Sequence, residues 1–313
     1  MQSTVVDERI YKCIEAISKH NQSLALKYWN QILRYQTNPH KKKTVLNQLI
    51  RESYHDKPEN ILPLVQFIEE TKQFYGFHTL YKELQLYNLV YDPKTNDVIF
   101  TLAHYVKKAC GSNSPLFKSL PKAVRYVMAG KSFTLQNKET NGYLYYAKRC
   151  VARHYYYCLD VLTKRIERHE LNNLEMEEKR KFSWTINATD ETAQRFFILN
   201  QDTYWTYRLQ GLKNSPRFKM EESGSSFEID WAEFQLELRN DEEIAIQVRN
   251  ANKYLEGEEF KAANGSEMLL NSVFNDDRLE KDDGIIWVVQ SSGDEENSFD
   301  DHGELMSENC GVE

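Results

Sequence analysis

Lys181-Phe182-Ser183-Trp184-Thr185-Ile186 is where the hydrophobic pattern of this chain changes period. Before it, apolar residues recur every three or four positions; after it, they alternate. The first spacing lines one face of a helix, and the second lines one face of a strand. Downstream, Phe196-Phe197-Ile198-Leu199 and Tyr204-Trp205-Thr206-Tyr207 are β-prone. Phe227, Ile229 and Trp231 alternate. Phe234, Leu236 and Leu238 continue one residue out of phase, as across a β-bulge or a short intervening helix. Ile244, Ile246 and Val248 alternate again. Residues 182–250 therefore read as a mostly antiparallel β region, and the apolar run Ile285–Val289 extends the β-rich domain to 290.

Upstream, one-sided apolar stripes predict consecutive helices. The first uses Ile10, Cys13, Ile14 and Ile17. The second, with Ser23 as its expected N-cap, uses Leu26, Trp29, Ile32 and Leu33. The third follows Pro39 with Val45, Leu46, Leu49 and Ile50. The fourth runs from Glu59 to Tyr75, with Gly76 as a C-terminal cap, and the fifth covers His78 to Tyr87. Two β-prone runs about Asp92-Pro93-Lys94-Thr95-Asn96 predict a hairpin at 89–100. Leu120-Pro121 opens a helix closed by Gly130. A long helix is expected from Gly142 to His169, because Ala147, Val151, Tyr155, Cys158, Leu159, Leu162 and Ile166 advance by three and four. No fixed-period repeat is visible. The expected fold is α+β: a helical domain over 1–175, a β-rich domain over 182–290, and a disordered acidic tail over 291–313.

Composition bounds the function. The chain has 313 residues, 19 of them Tyr and 15 Phe, with 12 Gly and 7 Pro. That is the make-up of a folded, helix-rich chain, not of a disordered one. No apolar run reaches the ~18 residues of a membrane span, and no secretory core opens the sequence. Five scattered cysteines do not form a disulfide pattern, so reduced thiols and a nuclear or cytoplasmic, non-secreted protein are expected. The net charge of −7 is unevenly spread: +2 over residues 1–100, +11 over 101–220 and −20 over 221–313. Blocks of one sign call for a partner of the other sign, or for each other.

Three patterns bear on chemistry. The basic stretch 101–170 is rich in tyrosine, and its cations and rings suit phosphates and unpaired bases. The candidate nucleic-acid contacts are Lys107, Lys108, Lys122, Arg125, Lys148, Arg149, Arg153, Tyr157, Lys164 and Arg168, several falling on one stripe of the long helix. Gly130-Lys131-Ser132 is no phosphate loop, because Arg125 stands where the pattern needs glycine. Cys150, His154 and Cys158 lie too far apart along a helix for all three to share a metal, and no metal or cofactor is expected. No nucleophile–base pattern appears, so the protein is read as non-catalytic.

Near the C-terminus, Ile285-Ile286-Trp287-Val288-Val289 is flanked by acids and followed by Ser291-Ser292-Gly293-Asp294-Glu295-Glu296. This resembles a SUMO-interacting motif. The resemblance implies that Ile286, Val288 and Val289 add as a strand to a SUMO-like or other basic protein surface. Ser291 and Ser292 would then be sites where phosphorylation adds useful charge. The alternative is that the run is a core strand. Together these features predict an adaptor that binds nucleic acid or a nucleic-acid-bound complex through 101–170 and proteins through its acidic C-terminus. A pure protein–protein scaffold and an enzyme with an unrecognised site are the alternatives.

Overall fold

The one-sided stripes of the N-terminal third fold as helices. A computed structural model describes residues 2–54, 58–92, 94–150, 157–201, 206–212, 215–222, 233–248, 253–257, 267–274 and 283–291. The chain divides into two units, the first ending at Leu120 and the second beginning at Pro121.

The first unit is helical: α1 (Gln2–Ser18), α2 (Gln22–Tyr35), α3 (Pro39–Tyr54), α4 (Ile61–Thr71), α5 (Tyr75–Leu86), α6 (Val98–Cys110) and α7 (Pro115–Ser119). Its core includes Cys13, Ile17, Trp29, Leu46, Ile50, Leu64, Ile68, Phe77 and Phe100. Three local expectations change. Asn21, not Ser23, caps α2, its side chain accepting from the Leu24 N–H. α4 ends on Lys72 in the left-handed conformation, while Gly76 lies inside α5. A Cβ at Gly76 would sit 3.1 Å from both Ile68 Cγ1 and Leu46 Cδ2, so the glycine lets α5 approach α3 and α4 closely. The described residues of 89–97 make turns, not a hairpin, and Val98-Ile99-Phe100 opens α6. That triplet looked β-prone, yet it continues into buried Leu102, Ala103 and Val106, a helical face. Cys110 is disulfide-bonded, contrary to the expectation of reduced thiols, whereas Cys13 is free and buried.

The second unit begins with α8 (Lys122–Ala129), closed by Gly130 at φ 70° as expected. Among the described residues twelve strands follow: β1 (Phe133–Asn137), β2 (Tyr143–Cys150), β3 (Tyr157–Lys164), β4 (Trp184–Ala188), β5 (Phe196–Gln201), β6 (Thr206–Leu212), β7 (Ser215–Glu222), β8 (Phe234–Leu238), β9 (Glu243–Val248), β10 (Lys253–Gly257), β11 (Glu267–Phe274) and β12 (Ile286–Ser291). All pairings are antiparallel. Following them from β1 through β4, β5, β8, β9 and β12 returns to β1, a closed six-stranded barrel. The other six strands form hairpins β2–β3, β6–β7 and β10–β11, and β3 pairs with both β7 and β11. Three four-stranded repeats that share a barrel and a triplet of hairpins make a β-trefoil.

Each barrel strand contributes at least two buried apolar side chains at alternate positions: Phe133 and Leu135, Trp184 and Ile186, Phe196 and Ile198, Phe234 and Leu236, Ile244 and Ile246, Trp287 and Val289. The repeats also share polar ties. Trp184 and Trp287 donate their indole N–H groups to Leu144 O (2.9 Å) and Leu255 O (3.0 Å), each in the hairpin of its own repeat. Asn137 and Asn200 occupy matching places in β1 and β5, both fully buried. Asn137 Nδ2 donates to Gly284 O, and Asn200 Nδ2 to Ser183 O, so each holds the segment that enters the last strand of the preceding repeat.

The mixed α+β class therefore holds, but two larger expectations are corrected. The helix expected over 142–169 is the β2–β3 hairpin, in register from Tyr143↔Lys164 to Cys150↔Tyr157. Its pattern failed to alternate because both faces are covered near its base. Tyr143, Leu144, Tyr145 and Tyr146 are all buried. Two short helices, α9 (Arg168–Asn173) and α10 (Met176–Arg180), follow β3, and Leu171 and Phe182 form a cluster with Tyr143, Tyr145 and Leu162. A strand covered on both sides loses its alternation. The boundary expected near 175–182 accordingly moves to Leu120–Pro121, because the hairpin belongs to the trefoil.

The second correction concerns the docking motif. Ile286, Val288 and Val289 lie in β12, which pairs with β1 on one side and β9 on the other. Ile286 and Val289 are buried and Val288 is half-buried. Neither edge of the paired part of this strand is open for another chain, so the run is a core strand. Ser291 ends it opposite Phe133, and Ser292 and the acidic tail lie outside the described residues.

Candidate anion-binding groove

The candidate contacts from the basic stretch do not share one helical face. Lys107 and Lys108 belong to α6 of the helical unit. Lys122 and Arg125 (α8), Lys148 and Arg149 (β2), Tyr157 and Lys164 (β3) and Arg168 (α9) belong to the trefoil. Arg153 lies outside the described residues, as do the side chains of Lys148, Arg149 and Tyr157. Several of the rest are engaged locally. Lys107 is half-buried, and burial holds its ammonium below the usual lysine pKa. Lys108 lies 3.4 Å from Glu69 and over the Tyr105 ring. Lys122 pairs with Glu242 at 2.8 Å, and Lys164 lies over Tyr145. Arg168 is exposed at the start of α9.

A different set of cations converges in the helical unit. α3 and α5 run parallel in a constant register. Lys43 Nζ lies 5.8 Å from the centre of the Tyr75 ring. One turn on, Thr79 Oγ1 donates to Asn47 Oδ1 at 2.8 Å. One turn further, Arg51 Nε donates to Glu83 Oε1 at 2.7 Å. Tyr54 and Tyr87 then meet edge to face at 5.7 Å. The spacing i, i+4, i+8 puts Lys43, Asn47 and Arg51 on one stripe of α3, and His78, Lys82 and Leu86 on one stripe of α5. Gly76 permits this approach from within the core.

The two stripes border a groove of about 680 Å³, lined by Lys43, Asn47, Arg51, His78, Thr79, Lys82, Glu83, Gln85 and Leu86. Among the described lining residues the one carboxylate, Glu83, is buried and already held by the exposed Arg51 guanidinium. Lys43 and Lys82 leave the lining net positive. His78 sits among them. Burial, then Lys82, then Lys43, hold its imidazole below the usual histidine pKa. Both of its ring nitrogens are shielded from solvent and have no hydrogen-bond partner among the described residues. Burial also pushes Tyr75 up to about 12, so its hydroxyl stays neutral. Ammonium, guanidinium, amide and imidazole donors around one concavity suit an anion. The sequence did carry a signal for this site in the Lys43–Asn47–Arg51 stripe. Its partners on α5 lie about thirty residues further along the chain, so no single segment displays the site. Among the described residues no cluster of metal-ligating side chains occurs, and no helix is long and apolar enough to cross a membrane.

No family model matches the sequence, and no curated protein matches it. Solved structures resemble about half of the chain. The designed threefold-symmetric protein ThreeFoil aligns at 10% identity and TM-score 0.35, over 51% of this chain and 98% of its own. The BEL β-trefoil aligns at 12% identity and TM-score 0.35, over 51% and 92%. The SDF2-like protein from Arabidopsis thaliana aligns at 9% identity and TM-score 0.35, over the same shares.

Proposed function

We propose that this protein is a non-catalytic adaptor that binds nucleic acid through the α3–α5 groove of its helical unit. Protein partners are engaged elsewhere, with the strongly acidic C-terminal residues as the proposed surface. The observation that carries the reading is the convergence of Lys43, Arg51, Lys82 and His78 on one concavity where the one carboxylate among the described lining residues is already paired. A phosphate backbone is the polyanion that such a row of cations neutralises, with release of counterions. Leu86 at the end of α5 lines the groove, and the exposed Tyr87 that follows it is the aromatic proposed to stack on an unpaired base.

The test is fluorescence anisotropy of labelled single-stranded and duplex oligonucleotides across a salt series. Binding is expected to weaken steeply with salt. Replacing Lys43 and Lys82 together by Gln is expected to lower the slope of log K against log salt by about 1.4 for a single strand. Absence of salt-dependent binding by the full chain, or an unchanged slope in the double variant, defeats the reading. A second reading, a protein–protein scaffold, is favoured by the exposed Tyr11 and Leu86 of the helical unit, 68% and 71% accessible. It predicts partner capture without oligonucleotide binding.

A further inference from the structure

We infer that the Lys43–His78–Lys82 end of the groove is a phosphate subsite, in which the His78 imidazole donates to a phosphate oxygen and gains a proton as the phosphate binds. The choice of a nucleic-acid backbone as the source of that phosphate rests on the function proposed above; the subsite itself rests on geometry.

An imidazole always carries at least one N–H. His78 has both nitrogens out of solvent with no acceptor among the described residues, although its side chain lines the groove. Leaving a shielded donor unsatisfied is unfavourable, and such groups call for an explanation. Rotation of the ring presents a nitrogen to the groove. There the neighbouring charged groups are Lys43 and Arg51 from α3 and Lys82 and Glu83 from α5, with Arg51 and Glu83 satisfying each other. The Tyr75 phenol remains protonated and adds no charge. Glu69 of α4, which packs behind both helices, is drawn to Lys72 and Lys108 instead. Burial first, and then Lys82 and Lys43, disfavour the charged form of His78. A phosphate between the two lysines reverses their field. It supplies both the acceptor and the counter-charge that make imidazolium favourable. A phosphodiester stays anionic throughout the range in which histidine titrates, so any pH dependence belongs to the protein.

The sign follows by linkage. Free His78 titrates below the usual value, and phosphate-bound His78 titrates higher. Binding takes up a proton between those two values. Affinity rises as pH falls through the bound-state pKa, and levels off below the free-state pKa. One proton limits the slope to about tenfold per pH unit.

The experiment follows the His78 ring by heteronuclear NMR in the full chain, with the signal assigned through His78→Gln. Titrations are made alone, with oligothymidylate and with inorganic phosphate, and oligothymidylate affinity is measured against pH. The expected result is a His78 midpoint moved upward by about one unit or more by oligothymidylate, with a pH slope that His78→Gln flattens while salt dependence persists. The NMR titration of the unaltered protein stands even if the variant folds poorly. Salt-dependent oligothymidylate binding with an unmoved His78 midpoint overturns the subsite and leaves the proposed function standing. A midpoint moved by inorganic phosphate alone supports the subsite and overturns nucleic acid as its source. No shift with either probe, and no binding, overturns both.

Discussion

Replacing Gly257 by Ala is expected to be among the most damaging single-methyl changes in the trefoil, and the reason is one buried side chain. A Cβ at Gly257 falls 2.6 Å from Asn137 Cγ and 2.9 Å from both Nδ2 and Oδ1. Ordinary contact would require Asn137 to retreat by several tenths of an ångström. It has little freedom to do so. Its Nδ2 donates to Gly284 O at 2.7 Å, and its Oδ1 accepts from the Thr140 N–H and Oγ1–H at 3.0 Å each. Overpacking of this kind costs about 1–3 kcal/mol. Disrupting the buried hydrogen bonds adds about 1 kcal/mol for each one lost. Together these give about 3–5 kcal/mol, offset by under about 1 kcal/mol from losing glycine's backbone freedom. Asn137→Ala alone is expected to cost about 2–3 kcal/mol, through loss of its bonds to Gly284 O and to the Thr140 N–H and hydroxyl. In the double variant the clash is gone. Its cost should therefore approach that of Asn137→Ala alone, which makes the two changes strongly non-additive. Urea unfolding followed by tryptophan fluorescence measures this, in a Trp29→Phe background that silences the helical unit. Additivity within about 0.5 kcal/mol would show that Gly257 and Asn137 do not confront each other, and the reasoning would fall.

Two further changes probe the shared ties and the groove. Trp287→Phe removes the indole N–H that bonds Leu255 O and leaves space beside it. A loss of about 2–3 kcal/mol is expected in the same unfolding assay, and a loss below about 0.5 kcal/mol would deny the tie a structural role. Gly76→Ala gains about 1 kcal/mol of helix propensity but presses on Leu46, Ile50 and Ile68. Net destabilisation of about 1 kcal/mol is expected, with weaker oligonucleotide binding as α3 and α5 separate. A stabilised variant with unchanged binding would contradict the role given to that glycine.

α1 to α3 were legible because each buries one side, whereas α6, buried at every position from Val98 to Ala103, was not. Cys13 and Ile17, or Leu46, Leu49 and Ile50, leave a stripe that only a helix explains. The β2–β3 hairpin was misread for the converse reason. Tyr143 through Tyr146 are buried in sequence, so no alternation survives, and the aromatic, β-branched character of Tyr143-Leu144-Tyr145-Tyr146 and Val161-Leu162-Thr163 was the better guide. The threefold repeat was hidden by unequal insertions. The repeats open at Phe133, Phe196 and Glu243, and only the first carries α9 and α10. Trp184 and Trp287 correspond to Phe234, which cannot make their hydrogen bond, so even the recurring aromatic changes chemistry. Ile286–Val289 was ambiguous in principle, since a docking strand and a core strand share composition; only the partners on both edges decide it. The groove needed a relation that no single segment contains, the register between α3 and α5 that Gly76 permits.

The charge blocks illustrate why convergence is a better guide to a binding site than composition. Much of the positive block and much of the negative block fall in the trefoil, where the first and last repeats are neighbours through β1 and β12. Lys138 of the first repeat reaches Glu243 and Asp283 of the last, both at 3.2 Å, and Lys122 of α8 reaches Glu242. Exposed pairs of this kind contribute about 0–1 kcal/mol each, but together they account for part of the split without any outside partner. Residues 1–100, by contrast, carry a net charge of only +2. There the helical register gathers Lys43, Arg51 and Lys82 around one groove and, among the described residues, brings them a single carboxylate. A nearly neutral segment can thus present the more focused positive field, because field strength at a site depends on which charges share a concavity and not on how many share a stretch of sequence.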